Sequence, residues 1–147
     1  MKKLVCIVLI LCLMPLVAIA DDINTFTAAW NAYAPQYGAP PLNPDSQDDG
    51  FIVGDGWKLG LTIDDDGYDS IIIIGKDADT LLPMATIAGL IFEGNLTPDE
   101  ITSYIGKLAQ IYFQEKSTGK SNTLITGSHL CFFSQKDDTY SFIMVEI

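Results

Sequence analysis

The sequence has 147 residues and a formal net charge of −11, because eight basic residues, all lysine, stand against nineteen acidic ones. A surface of this sign repels phosphate backbones and anionic lipid, which argues against nucleic-acid binding and polybasic membrane association. Basic proteins and divalent cations remain the electrostatically suitable partners, although acidity can also serve solubility alone.

Residues 1–20 have the pattern of a secretory signal peptide. Two lysines precede an apolar run from Leu4 to Val17, and Ala18-Ile19-Ala20 provides a small-x-small cleavage site. The apolar run is too short to favour a permanent membrane span. The sequence therefore predicts an exported protein, periplasmic or secreted, with no stable membrane span after cleavage.

Cleavage after Ala20 leaves residues 21–147, which have the usual size of one domain. Loss of Lys2 and Lys3 changes the net charge from −11 to −13. Cys131 is then the one remaining cysteine, so no internal disulfide can form. Stability must come from core burial.

The domain begins with a predicted amphipathic helix from Ile23 to Ala34, in which Phe26 and Trp30 share one face. Pro35 is expected to end this helix, because proline lacks the amide donor and clashes with the preceding turn. Residues 35–50 hold four prolines and no periodicity, which indicates an extended loop. Such a loop is either an interaction segment or a long connection without a specific role. The second is favoured, because loop-closure entropy grows slowly with length and a long connection costs little.

The stretch from Phe51 to Gly75 predicts a three-stranded meander with Asp55-Gly56 and Asp66-Gly67 at the centres of its two turns. This register sets Asp64 opposite Asp69. It also gathers one apolar set on the core face, consisting of Ile52, Leu59, Leu61, Ile63, Ile72 and Ile74.

The opposite face of the meander is unusually apolar for a solvated sheet, since it carries Phe51, Val53, Ile71 and Ile73. Either other chain segments cover this face, or it is an exposed patch that binds a partner. Large bare patches are rare on soluble monomers, which favours covering, and the proline-rich loop is free to provide the cover.

Two helices and two strands complete the chain. Pro83 to Glu93 predicts a short buried helix with Pro83 in its first turn, and Thr97-Pro98-Asp99-Glu100 is a capping box that begins the next helix. Strands are predicted at Thr123 to Ser134, in which Gly127 is a candidate break, and at Tyr140 to Ile147. The fold class is α+β, a two-layer domain in the order α-βββ-αα-ββ, with helices on one face of an antiparallel sheet of about five strands.

Asp64, Asp66 and Asp69 are the candidate ligands for a cation, with Ca²⁺ as the candidate ion. The calcium-loop pattern fails, because Thr62 stands where it needs an acidic residue and Ile73 where it needs a glutamate, and Asp-Gly is itself a strong hairpin signal. What keeps the cation interpretation open is the expected pair of like charges, Asp64 opposite Asp69, which costs stability unless solvent or a cation relieves it.

His129 and Cys131 lie two apart on a predicted strand and share a face, but the apolar and acidic setting is unsuited to thiolate catalysis. No other enzymatic motif is present in the sequence. It therefore favours a small exported non-catalytic binding domain, immunity-like or inhibitor-like towards a basic partner protein. The alternatives are an enzyme without a recognisable motif and a calcium-responsive envelope protein.

Overall fold

Three helices cover one face of an antiparallel sheet. The computed structural model describes residues 23–64, 67–115 and 123–147, and within these the side chains of residues 111–115, 123, 124 and 126 are not described. The predicted signal peptide at residues 1–20 therefore lies outside the described residues. The helices are α1 (Ile23–Tyr37), α2 (Ala78–Phe92) and α3 (Pro98–Glu115). The strands are β1 (Gln47–Asp48), β2 (Phe51–Gly54), β3 (Trp57–Asp64), β4 (Gly67–Gly75), β5 (Thr123–Thr126), β6 (His129–Lys136) and β7 (Thr139–Glu146).

The α+β class and the order of the elements are confirmed, with more strands than expected. The sheet has the order β1-β2-β3-β4-β7-β6-β5, in which all neighbours are antiparallel. Two features raise the count from about five to seven: the two-residue strand β1, and a turn at Gly127 that divides the predicted strand Thr123 to Ser134 into β5 and β6.

Helix α1 runs past the proline that was expected to end it. Pro35 lies within the helix, and the chain leaves it only at Gly38, whose φ is +70°. The amide of Ala39 donates to the carbonyl of Ala34 at 3.1 Å, which is the bonding of a glycine C-terminal cap. A proline near the end of a helix loses few hydrogen bonds, so the glycine determines where the helix stops.

The proline-rich loop packs on α1. The Trp30 indole Nε1 donates to the carbonyl of Pro40 at 3.0 Å. The amide side chain of Asn31 exchanges two hydrogen bonds with the backbone of Leu42, at 2.8 and 2.9 Å, and Leu42 is buried. The loop is thus fixed to the helix layer by three side-chain hydrogen bonds. These three hydrogen bonds join the loop to α1, so they do not provide the cover that the sequence favoured for the second face of the sheet.

The two hairpins of the meander behave differently. In the first, Ile52 pairs with Leu59 and Val53 with Lys58, as the Asp55-Gly56 turn predicts. In the second, Asp64 pairs with Gly67, and a bulge shifts the register between Thr62 and Ile63. The pairing expected between Asp64 and Asp69 is therefore wrong.

The two remaining helices differ in how well their starts were predicted. Helix α2 begins at Ala78, five residues before the expected Pro83, because Asp77 caps it by accepting from the Asp79 amide at 3.0 Å. Helix α3 begins where the capping box predicts. The Thr97 amide donates to Glu100 Oε2 at 2.8 Å, and the Glu100 amide donates to Thr97 Oγ1 at 3.3 Å.

The core lies between the sheet and the helices. Every buried sheet residue belongs to the face that the helices cover, and α2 packs on β4 and β7 while α3 packs on β5 and β6. One row of this face crosses five strands with side chains at most 2% exposed: Ile52, Leu59, Ile73, Phe142 and Phe133. Phe26 and Trp30 of α1, both fully buried, complete the core on the side of the helix layer.

Candidate functional site

The face of the sheet opposite the helices, here called the open face, is the candidate functional site. Side chains alternate along a strand, so the buried positions of each strand identify the neighbouring positions as members of the open face. None of the described helices packs on it. Its described apolar side chains are half-buried or exposed, whereas those on the helix side are mostly buried.

The centre of the open face is an apolar patch on β4, β7 and β6. Ile72 pairs with Ile143, and Ile143 pairs with Phe132, so these three side chains form a row across the strands. Phe132 is 36% exposed, and Ile125 on the edge strand β5 extends the apolar surface with 60% exposure. We define the central patch as Ile72, Ile74, Leu130, Phe132, Ile143 and Val145.

The β2–β3 side of the open face is built around Gly60. A Cβ on Gly60 would lie 2.8 Å from Cε1 of Phe51 and 2.9 Å from Cγ2 of Ile72, so glycine allows the phenyl ring to lie across the strand. The Lys58 ammonium stands 4.9 Å from the centroid of the same ring. The open face therefore continues from the central patch to Phe51 and Val53, with one cation over the aromatic ring.

Two of the four residues predicted for a partner-binding face are wrongly placed. Phe51 and Val53 lie on the open face, whereas Ile71 is 1% exposed and Ile73 is fully buried on the helix side. The bulge between Thr62 and Ile63 is the physical reason, because a one-residue shift of register moves every side chain of a strand to the other face.

The sequence analysis also missed the contribution of β6 and β7 to the open face. Leu130 and Phe132 alternate with buried residues along β6, and Ile143 and Val145 do the same along β7. That alternation could have identified them as one face of a hairpin. The pairing of β7 with β4, which joins this hairpin to Ile72, is a long-range contact that no local pattern indicates.

Charged side chains border the open face. By register, Asp48 lies at its β1 edge and Asp64 at the end of β3. Lys58 and Lys136 lie on the same face. The site thus combines an apolar centre with a border that carries charges of both signs.

The predicted cation site is not assembled by the described residues. Asp64 stands opposite Gly67, and Asp69 occupies the bulged segment of β4. Asp66 lies outside the described residues. The like-charge pair that kept the cation interpretation open is therefore absent. Among the described residues, no group of three or more potential ligands from histidine, cysteine, aspartate and glutamate comes together.

His129 and Cys131 share the helix side of β6, as expected, and both are buried. His129 is bonded to Glu93 through Nδ1, at 2.7 Å. Two concave regions formed by the described residues are lined by neither His129 nor Cys131. Because both side chains are buried, the open face is the more substantial candidate.

Comparison with known proteins adds no relative. No protein-family model matches the chain, and no curated protein or solved structure is significantly similar to it. Within the part of the chain that the structure describes, none of the helices is long and apolar enough to cross a membrane. The functional argument consequently depends on the geometry of this chain alone.

Proposed function

We propose that the chain is an exported, non-catalytic binding protein that docks its open face on a partner protein. The single observation that carries the proposal is the central patch, six apolar side chains on a sheet face that none of the described helices covers. Contiguous apolar surfaces of this kind, surrounded by polar residues, are typical of protein interaction sites. In this proposal a partner contributes an apolar layer on the face that the described helices leave bare.

Charge defines the chemistry of the partner. The chain carries nineteen acidic residues against eight lysines, so its surface is acidic as a whole. A second copy of the chain would bring the same net negative charge against the first, which costs free energy. A partner whose contact surface is apolar at its centre and rich in lysine and arginine at its border is complementary. An immunity-like or inhibitor-like role towards a basic protein has this character.

Export is part of the same proposal and is supported by the basic start, apolar core and small-x-small site of residues 1–20. Mass spectrometry of the protein recovered from the envelope and the medium is expected to find an amino terminus at Asp21. Recovery of the intact chain from the cytoplasm would contradict export, and it would leave the open face to be tested separately.

Site-specific photo-crosslinking in the cells that produce the protein tests the docking surface. A p-benzoylphenylalanine at Ile143 places the reactive group in the central patch, and the same residue at Ser103 places it on the exposed side of α3 as a matched control. We expect a crosslinked protein from position 143 and none from position 103. Crosslinking from both positions, or from position 103 alone, would contradict the proposal.

The crosslinked protein then allows a direct affinity measurement. Ile143→Asp introduces a charge into the apolar centre, and we expect it to weaken binding at least about tenfold, as truncation of a central contact does. Ser103→Asp, which adds the same charge on the helix side, is expected to leave the affinity unchanged. Binding should also weaken as salt is raised. An acidic partner, or an affinity that Ile143→Asp does not change, would overturn the proposal.

A further inference from the structure

A second candidate site is a groove on the helix side of the sheet, away from the open face. It has a volume of about 580 Å³ and lies where the proline-rich loop (residues 38–41), the β2–β3 turn and the first turn of α2 meet. The groove is open to solvent, and its lining is mainly polar. Trp57 lines the groove together with two carboxylates, Asp55 of the turn and Asp79 of the helix.

The indole of Trp57 is held in place by the absence of a side chain at Gly54. A Cβ on Gly54 would overlap Cε2 and Cζ2 of the Trp57 ring, so the ring lies directly against the end of β2. Trp57 is only half-buried, and it borders the groove. Tryptophan presents the best aromatic face for a cation, because its ring carries the largest negative potential among the aromatic side chains.

The two carboxylates of the groove stand on different elements and are exposed to solvent. Neither Asp55 nor Asp79 forms a salt bridge with any described residue, since the ion pair found in the described part of the chain is that of Glu93 and His129. An aromatic ring and two carboxylates around one concave volume favour a ligand with a positive charge and a short apolar stem.

The walls of the groove are fixed before any ligand arrives. Hydrogen bonds hold the loop wall at Pro40, where the Trp30 indole donates at 3.0 Å, and hold the turn wall at Gly56, whose carbonyl accepts from the Lys76 amide at 3.1 Å. The helix wall is fixed by the Asp77 cap. A preorganised site pays less conformational entropy on binding.

We propose that this groove binds an organic cation, an alkylammonium or guanidinium group, with the Trp57 ring against its apolar stem and Asp55 and Asp79 near its charge. The inference is independent of the proposed function, because the groove lies on the helix side of the sheet and the open face lies on the other. The cation can be a lysine or arginine side chain of a protein or a free amine.

The test follows the Trp57 indole N–H signal in two-dimensional NMR of the purified full chain. The probes are N-acetyl-lysine methylamide, N-acetyl-arginine methylamide and choline, with N-acetyl-norleucine methylamide as the uncharged control. Trp57→Phe assigns the signal, because the only other tryptophan, Trp30, is fully buried. We expect saturable shifts with the charged probes at about millimolar concentration, as for weak single-group contacts, and none with the norleucine probe.

Comparison among the charged probes separates the two sources of the cation. Tighter binding of the lysine or arginine probe than of choline indicates a protein side chain, and the reverse order indicates a free amine. Equal shifts with the norleucine probe would show an apolar contact without charge recognition and would overturn the proposal. Absence of saturable shifts with every charged probe would overturn it as well.

Variants show whether the named groups hold the cation. Asp79→Asn is expected to weaken binding about threefold and its combination with Asp55→Asn about tenfold, as expected for exposed ion pairs. Glu146→Gln, which removes one exposed charge at the far end of the sheet, is the matched control and should leave binding unchanged. Binding that the double variant retains in full would contradict the assignment.

Gly54→Ala tests the role of the ring without removing any charge. The added methyl group must displace the Trp57 indole, and we expect binding to be lost while the Trp30 indole signal keeps its position. Gly94→Ala, at a glycine with open space around it, is the control. Unchanged binding in Gly54→Ala would show that the ring is not part of the site.

Discussion

The Nδ1 atom of His129 lies 2.7 Å from Oε1 of Glu93, with both side chains 5% exposed. The same carboxylate oxygen accepts from the Ser128 amide at 2.9 Å. Glu93 is the C-cap of α2, and His129 is the first residue of β6, so the pair joins the helix layer to the sheet at the β5–β6 turn. It is a structural connection between two elements that are 36 residues apart in the sequence.

Removal of Glu93 should destabilise the protein strongly. Glu93→Ala removes the carboxylate that bonds the buried His129 ring and the Ser128 amide, and His129 Nδ1 keeps only the Ser128 hydroxyl at 3.2 Å. We expect a loss of about 3 kcal/mol in the free energy of unfolding. Urea denaturation followed by circular dichroism measures it. Glu146→Gln, which changes an exposed carboxylate on β7, should stay within about 0.5 kcal/mol.

A double variant shows whether the instability of Glu93→Ala comes from leaving His129 without its partner or from the loss of the Glu93 side chain itself. Apolar replacement of both partners, Glu93→Met with His129→Leu, removes the buried polar groups together, and it should recover at least half of the stability lost in Glu93→Ala. Additive losses in the two single variants would show that the two side chains do not act as a pair.

Gly127 should be intolerant of alanine for two separate reasons. Its φ is +55°, and an added Cβ would overlap the Glu93 carboxylate. We expect Gly127→Ala to cost about 2 kcal/mol or more, since alanine is strained at positive φ and the carboxylate must also move. In a Glu93→Ala background the overlap is gone, and the cost should fall to that of the backbone strain alone. An equal cost in both backgrounds would contradict the overlap.

Two local signals in the sequence predicted local structure correctly. Asp55-Gly56 predicts the first hairpin and its register, and the capping box predicts the start of α3 at Pro98, because in each case the side chains that determine the structure are adjacent in the sequence. The helical spacing of apolar residues from Ile101 to Tyr112 predicts one buried stripe on α3, and Ile101, Ile105 and Leu108 are buried. Its members Ile111 and Tyr112 lie outside the described side chains.

The second hairpin shows why the site was predicted only in part. Ile71 to Ile74 are four consecutive isoleucines, so hydrophobic alternation gives no indication of which pair faces the core. The choice then depends on one residue of register, and the bulge near Thr62 decides it. An apolar second face was correctly expected, whereas the identity of its isoleucines and its extension on to β6 and β7 depended on long-range pairing.

Ile72 and Ile73 provide a matched pair that tests this assignment of faces. Both are isoleucines at the middle of β4, and Ile73 is fully buried while Ile72 lies half-buried on the open face. We expect Ile73→Ala to cost about 3 kcal/mol and Ile72→Ala about 1 kcal/mol, since only the first creates a cavity in the core. Urea denaturation of the two variants measures the difference, and equal losses would show that the open face is covered.

The capping box of α3 predicts a dependence of stability on pH. Hydrogen bonds from the Thr97 amide and hydroxyl to the Glu100 carboxylate lower the pKa of Glu100 below its ordinary value of 4.5. A lowered pKa in the folded state means that the contribution of Glu100 to stability is fully present above pH 4.5 and is lost as the pH falls through the folded value. Glutamine at position 100 does not titrate.

Wild type and Glu100→Gln should therefore differ in melting temperature at neutral pH, with wild type the more stable, and the difference should shrink as the pH falls below 4.5. Thermal unfolding at a series of pH values measures the two curves. Glu146→Gln is the control for the loss of one exposed carboxylate, and it lacks the two bonds from Thr97. A difference for Glu100→Gln that stays constant down to about pH 3 would mean that the charge of Glu100 contributes nothing to the cap.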